Sequence, residues 1–375
     1  MPQQLKNIIS LGIKELRSLR TDPVLLFLIV YSFTYAVYAV SKGMSFDVEN
    51  ASVAIADEDH TALSRSIADA ILEPYFKSVV EIAPEDIDRE MNAGHYVFVI
   101  DIPPSFEKDV LAGREPAIQL NVDATAIAQA GNGAIYLQSI ITNEVEHYLL
   151  GHATSVELPI NVVTRTRFNP NGTSYWFMAI MQVVNNITIL SIILTGAAFI
   201  RERERGTVEH LLVMPVTPFE IMMAKIWANG LVILTAVLFS LIFVVHLFLG
   251  VPLGGSLLLF MTAAILYEFS VTALGILLAT FSNSMPQFGL LAMPTLVIFE
   301  LLSGGTTPLE TMPAWLQFLM NLTPAPHFVN LAQAILFRSA GIGIVWPYMA
   351  TLVGIGAVYF IVSLLRFRRA IVRLG

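Results

Sequence analysis

The sequence predicts a helical membrane protein of six transmembrane helices, with an extracytoplasmic α/β domain inserted between spans 1 and 2. Three observations lead there. Of 375 residues, 55% are hydrophobic and only 13% charged, with a mean hydropathy of +0.68; an ordinary soluble domain is about a quarter charged. The apolar residues are gathered into six runs that suit a hydrocarbon core about 30 Å thick, which a helix of about 20 residues crosses. The acids are gathered elsewhere: residues 43–170 hold twenty Asp and Glu against seven Lys and Arg. That is the balance of a solvated domain, and it argues against nucleic acid as a partner. With no cysteine anywhere, disulfides, thiolate nucleophiles and cysteine metal sites are excluded, and the redox compartment stays open.

In chain order, residues 1–22 come first. Leu5, Ile8, Ile9, Ile13, Leu16 and Leu19 recur at helical spacing among Lys6, Lys14, Arg17 and Arg20, the pattern of a basic amphipathic helix lying on the inner leaflet. Thr21-Asp22-Pro23 then breaks that helix and turns the chain into the bilayer. Residues 23–42 form span 1, whose apolar run is Pro23 to Val40. No small-residue cleavage site follows it cleanly, so it reads as an uncleaved anchor.

Residues 43–172 form the inserted domain. Residues 51–57, 77–82, 95–102, 117–122 and 158–168 read as strands, and 61–72, 84–92, 106–112 and 127–152 as helices. This alternation predicts crossover units and a mostly parallel sheet. Asp57, Glu58 and Asp59 follow a strand end, where α/β folds often bind ligands, but an acidic turn capping a helix explains them as well. His147 and His152 are five apart and share no helical face, so they predict no metal site. The "GNGA" at 131–134 lacks the strand-turn-helix setting of a dinucleotide loop.

Residues 173–365 hold the other five spans: Trp176 to Ile200, Trp227 to Leu249, Leu257 to Phe281, Phe288 to Leu302 and Trp346 to Leu365. Polar residues at membrane depth face protein or water rather than lipid. Gln182, Asn185 and Asn186 in span 2, His246 in span 3 and Glu268 in span 4 are thereby candidates for a substrate path, with interhelical hydrogen bonding as the plainer reading. Between spans 5 and 6, residues 303–340 carry Pro308, Pro313, Pro324 and Pro326 around a helical piece, 312–321, with Trp315 and Phe318. The basic tail is 366–375.

Orientation follows from Lys and Arg near the span ends. Lys6, Lys14, Arg17 and Arg20 precede span 1; Arg201, Arg203, Arg205 and Lys225 lie between spans 2 and 3; Arg366, Arg368, Arg369 and Arg373 close the chain. Both termini and the span 2–3 connection therefore face the cytoplasm, and the inserted domain faces away from it.

That connection is the most informative stretch. Arg201 to Arg205 alternate in sign, and Thr207 to Met214 then suit a short amphipathic helix with Val208, Leu211 and Leu212 near one face. After Pro215, Thr217-Pro218-Phe219-Glu220 supplies an N-cap, a proline at the first helical position and a capping glutamate three residues on. A second helix thus starts at Pro218 and runs into span 3. Exposed apolar residues in such a connection call for membrane, self or a partner to cover them.

"ERGTVEHLLVMPVTPFEIMMAKI" (204–226) resembles the corresponding stretch of the type-2 ABC exporter permeases. Glu204, Arg205, Gly206, Thr207, Glu209, Leu211, Leu212, Pro215, Glu220 and Lys225 match that pattern, while Met214 stands where Ser or Thr is usual and Ala224 where Gly is usual. "VAIADEDHTALSR" (53–65), "VFVIDIPPSFEKDVLAGR" (97–114) and "LNVDATAIAQA" (120–130) resemble the extracytoplasmic domain of the long-insert branch, bacterial inner-membrane permeases associated with drug or sodium efflux.

The resemblance implies an inner-membrane permease whose coupling helix, within 201–220, sits in a groove on a separate ABC ATPase, and whose 303–340 segment is re-entrant at the outer face. It implies a second permease subunit, the same or a sister chain, and admits a periplasmic membrane-fusion adaptor. No cofactor is then expected in this chain, ATP and Mg being held by the ATPase; accordingly no G-x-x-x-x-G-K-[ST] occurs in the sequence. A non-transporting scaffold that links the inserted domain to a cytoplasmic protein is the alternative. A membrane hydrolase is disfavoured, since neither H-E-x-x-H nor G-x-S-x-G is present.

Overall fold

Asp22 and Pro23 decide where the first long helix begins. In the computed structural model, Asp22 Oδ1 accepts the Leu25 N–H at 3.2 Å, and Pro23 occupies the first helical turn, where a missing N–H costs nothing. The structure describes residues 3–43, 48, 50–123, 127–152, 173–204 and 216–372. The expected strand at 158–168 and the expected coupling helix, with Arg205, Gly206, Thr207, Glu209, Leu211, Leu212 and Pro215, lie outside them.

The contacts divide the chain into two units, Ser45–Ser174 and the remainder. In the remainder, α1 (Gln3–Arg20) precedes six helices long and apolar enough to cross a membrane. These are α2 (Pro23–Gly43), α7 (Ser174–Glu204), α8 (Pro218–Phe248), α9 (Leu257–Phe281), α10 (Met285–Leu302) and α13, whose spanning part is Ile342–Arg368; α3 to α6 belong to the other unit. Each extends beyond the apolar run that predicts it, or matches it, because helix ends carry polar caps that hydropathy ignores. Most buried is α7, followed by α9. A hub of Ile180, Val183, Ile187 and Ile192 on α7 packs with Ala264, Val271 and Ile276 of α9.

Two spans change their winding. Ser32–Ala36 in α2 and Ser240–Phe248 in α8 are π-helical. At the first of these, the Asn186 side chain of α7 donates to the Ser32 carbonyl at 2.5 Å, a side chain engaging the backbone where the ladder opens. Between α10 and α13 lie α11 (Ala314–Asn321) and α12 (Pro324–Ala332), the latter ending in a π turn, Gln333–Phe337. Phe328 of α12 is buried and stacks on Tyr267 of α9, 4.2 Å between centroids and 9° between planes.

α1 is held by protein along one face. Gly12 meets the Trp227 ring of α8, where a Cβ would stand 2.1 Å from ring carbons, and the Trp227 indole N–H donates to the Ile8 carbonyl at 3.1 Å. The helix expected to lie on the membrane surface is thus docked on the first turns of α8.

In the other unit, β1 (Val53–Asp57), β2 (Val80–Glu81), β3 (Phe98–Ile102) and β4 (Gln119–Val122) form one sheet in the order β2-β1-β3-β4. The first three strands are parallel, and β4 returns antiparallel to β3 at the edge. Alternation along β1 and β3 puts Val53, Ile55, Phe98, Ile100 and Ile102 on one face with Leu63, Ile67 and Leu137, and Ala54, Ala56 and Val99 on the other with Ile87. Both faces are covered, which is why these strands read as unbroken apolar runs. α3 (Ala62–Ala70), α4 (Ile87–Asn92), α5 (Phe106–Leu111) and α6 (Ile127–His152) complete the unit. The glycine-rich 131–134 lies inside α6; a Cβ at Gly133 would stand 2.3 Å from the Phe98 ring, so the residue permits a close helix-sheet approach.

Candidate functional site

The two flanks of the stretch 205–215 are each built into the fold. On the near side, α7 ends against the turn from α9 to α10: Arg203 Nη1 donates to the Ser282 carbonyl at 2.8 Å, and Glu204 Oε1 accepts the Met285 N–H at 2.9 Å. A carboxylate at the first turn of α10 is favourable because that end of a helix exposes unpaired N–H groups.

On the far side the capping box forms. Thr217 Oγ1 accepts the Glu220 N–H at 3.3 Å, and Glu220 Oε2 accepts the Thr217 N–H at 2.6 Å. Asn7 of α1 donates to Glu220 Oε1 at 3.2 Å, so one glutamate caps α8 and holds α1.

Two turns further along α8, Lys225 is 1% exposed, and its ammonium lies 3.1 Å from Glu15 of α1 and 2.9 Å from Glu202 of α7. Lys14 stands 3.6 Å from Glu202, and Arg201 stands 3.7 Å from Asp22. A buried ammonium is tolerable only with such partners, because taking a lone charge out of water costs several kcal/mol. Three helices, α1, α7 and α8, therefore meet on one cation. Of the residues the sequence singles out in this region, Glu220 and Lys225 are buried and spend their polar atoms inside the chain, while Glu204 is exposed and caps α10.

Deeper in the spans runs a second set of polar contacts. Gln182 Nε2 donates to Asn186 Oδ1 at 3.0 Å, and Thr188 shares a 2.6 Å hydrogen bond with the Tyr267 hydroxyl. Glu268, 2% exposed, accepts from the Ser191 hydroxyl of α7 and from Thr272 Oγ1 at 2.9 Å. Asn229 Nδ2 of α8 donates to Thr195 Oγ1 at 3.0 Å. Asn185 is half-buried, and among the described residues no hydrogen bond reaches its side chain. His246 is exposed on this chain near the end of α8, and its Nδ1 lies 3.0 Å from the Val251 carbonyl. Its ring is within reach of the backbone just after its own helix, so it needs no interior partner.

Thr188, Ser191, Thr195, Asn229, Tyr267 and Thr272 were not among the expected site residues. Their signal was available in part. Thr188, Ser191 and Thr195 recur three and four apart, one polar face on a long apolar helix. Glu15 and Glu202 carried none, because their partner lies more than twenty residues away.

The acidic turn after β1 proves to be a pair of caps. Asp57 Oδ1 accepts the Asp59 and His60 N–H groups at 2.9 and 3.0 Å, and Asp59 Oδ2 accepts the Glu107 N–H at 2.9 Å. Burial pushes the Glu107 carboxyl up, yet donation from the Leu63 N–H and the Thr61 and Tyr148 hydroxyls outweighs it and holds the group below its usual value. Among the described residues no group of three His, Cys, Asp or Glu is arranged to hold a metal ion.

Six apolar helices, an α/β insert and the capped helix start at Thr217 accord with a family match: residues 23–365 fit the ABC-2 family transporter protein model. The chain belongs to the ABC-2 transporter family. It is 50% identical over 369 residues to the inner membrane transport permease YhhJ of Escherichia coli K12, covering 98% of this chain and 99% of that one. It is 27% identical over 363 residues, 96% and 97% of the two chains, to a protein of the same organism named "Probable multidrug ABC transporter permease YbhR". An ABC-2 permease is the membrane component of its transporter, and its six apolar helices make this chain a multi-pass membrane protein.

Proposed function

We propose that this chain is the permease subunit of an ATP-driven exporter in a bacterial inner membrane, working with a separate ABC ATPase and a second permease subunit. The observation that carries the proposal is the fixing of both flanks of 205–215. Arg203 and Glu204 tie one end to the turn between α9 and α10, and the Thr217-Glu220 box with Lys225 ties the other to α1, α7 and α8. A displacement imposed on Arg205 to Pro215 would reach several spans as a rigid-body movement rather than dissipate in a loop.

In this reading Gly206, Thr207, Glu209, Leu211 and Leu212 meet the ATPase, whereas Glu204, Glu220 and Lys225 position the stretch that does so. ATP and Mg belong to the ATPase. The Lys and Arg balance supports both termini in the cytoplasm and the α/β unit in the periplasm, where an adaptor of the membrane-fusion kind would have access to it. Gln182, Asn185 and Glu268 mark the level at which a substrate would meet polar side chains.

The test is co-purification with a candidate ABC ATPase, sought first in the reading frames adjacent to this one, followed by reconstitution in vesicles. ATP-dependent movement of a cationic drug or sodium, lost with Glu209→Ala plus Leu212→Asp while both proteins remain folded, is the expected result. A complex that hydrolyses ATP normally and moves none of the tested substrates would favour the scaffold.

A further inference from the structure

Beside the Lys225 network a cavity of about 210 Å³ opens between α1, α2, α7 and α8. Its charged and polar walls are Lys14, Glu15, Ser18, Asp22, Arg201, Glu202 and Asn229. Lys225 already holds Glu15 and Glu202 at hydrogen-bonding distance. The two cations on the cavity itself are used far less. Arg201 is 34% exposed and has its carboxylate neighbour at 3.7 Å, beyond a hydrogen bond, and none of its five N–H donors meets a described acceptor. Lys14 reaches Glu202 only at 3.6 Å. Arg201, one-third exposed, and Lys14, more than half exposed, thus keep donors free for an occupant, and planar paired donors like those of Arg201 suit the oxygens of a phosphate.

The acceptors on the walls limit what else the occupant carries. Asp22 spends Oδ1 on the Leu25 N–H and offers Oδ2. Asn229, 2% exposed, spends Nδ2 on Thr195, and its Oδ1 receives no hydrogen bond from a described residue. With Lys225 behind the wall, three cations face three carboxylates, so a net anion gains no excess attraction there. An ammonium beside the phosphate would use Asp22 and Asn229. Leu19 and Leu25 add an apolar edge, and the Lys and Arg that flank these spans argue for a place at head-group level.

We propose that this cavity holds the head group of a zwitterionic phospholipid, its phosphodiester on Arg201 and Lys14 and its ammonium toward Asp22 and Asn229. The lipid would fill the gap between docked α1 and the spans. This assignment does not depend on the exporter reading, and a chain that moves no substrate would still bind the lipid.

Native mass spectrometry of the full-length protein tests it, using phosphatidylethanolamine and phosphatidylglycerol with identical acyl chains. One phosphatidylethanolamine is expected to be retained per chain, about tenfold over phosphatidylglycerol, the loss of a single charge-assisted contact being worth about that factor. Arg201→Gln with Lys14→Gln should reduce retention by at least tenfold. Ser18→Trp, which fills the cavity and leaves every charge in place, should do the same and decides the matter if the double variant misfolds. Millimolar glycerophosphoethanolamine should displace the lipid. Equal retention of the two lipids, retention unchanged by Ser18→Trp, or displacement by inorganic phosphate alone would overturn the proposal, the last marking a free-anion site.

Discussion

Replacing Lys225 with Met removes the one cation on which α1, α7 and α8 converge. The methionine fills much the same volume, so the loss is electrostatic: Glu15 and Glu202, at 3.1 and 2.9 Å from the ammonium in the parent, would face each other without it. Breaking a buried pair by deleting one partner costs about 3–5 kcal/mol. The carboxylate side chains keep 14% and 18% exposure, and Lys14 stands 3.6 Å from Glu202, which puts the expected cost at the lower end, about 3 kcal/mol. The cheapest relief is release of α1, whose other holds are Asn7, Lys14 on Glu202, the Trp227 indole and packing. At 1.4 kcal/mol per decade, protection of residues 5–19 against hydrogen exchange should fall about a hundredfold, while the centre of α9 changes little. Lys225→Met with Glu15→Gln and Glu202→Gln removes the stranded charges and should recover most of that protection. Unchanged protection in the single variant, or none recovered in the triple, would refute the assignment of Lys225 as the clamp.

Three further outcomes follow from single contacts. Gly12→Leu places atoms where the Trp227 ring lies, 2.1 Å from an added Cβ, so α1 should undock and Trp227 fluorescence shift to the red; an unshifted spectrum would contradict the packing. Glu268→Gln keeps an acceptor for one of Ser191 and Thr272 and offers an N–H to the other hydroxyl, and should cost less than about 1.5 kcal/mol, whereas Glu268→Leu leaves both hydroxyls to their own helices and should cost about 1–3 kcal/mol, read as midpoints of denaturation in detergent. Glu107 sits below its usual value when folded, so its contribution to stability is full above the unfolded carboxylate range and is lost as pH falls through the lower folded value. Exchange protection of Thr61–Ala70, corrected for intrinsic rates, should therefore drop below about pH 4.5 and lose that dependence in Glu107→Gln.

Much of the architecture was legible because the signals were local. Six apolar runs marked the six long helices, and Thr217-Pro218-Phe219-Glu220 specified a helix start that the structure reproduces bond for bond. Residues 51–57 and 95–102 read as strands from their apolar runs, and strands form at Val53–Asp57 and Phe98–Ile102. The edge strand's reversal was less legible, because nothing in 117–122 distinguishes an antiparallel neighbour from a parallel one. Contacts across the chain were not legible at all. Glu15 and Lys225 are 210 positions apart, and only the docking of α1 on α8, permitted by Gly12, brings them together. The exposure of His246 was not legible for a related reason: hydropathy places a residue at a depth and says nothing of the side of the helix it occupies.

In the proposed transporter residues 205–215 meet an ATPase, and the absence of cysteine from the chain makes a clean test of that contact available. Leu212→Cys, the only thiol in the permease, should cross-link to the partner ATPase in membranes and lose the cross-link when Glu209→Ala is added or when ATP-driven closure shifts the contact. A thiol at Leu212 that reacts freely with water-soluble maleimide in the presence of the ATPase, with no cross-link formed, would contradict the account.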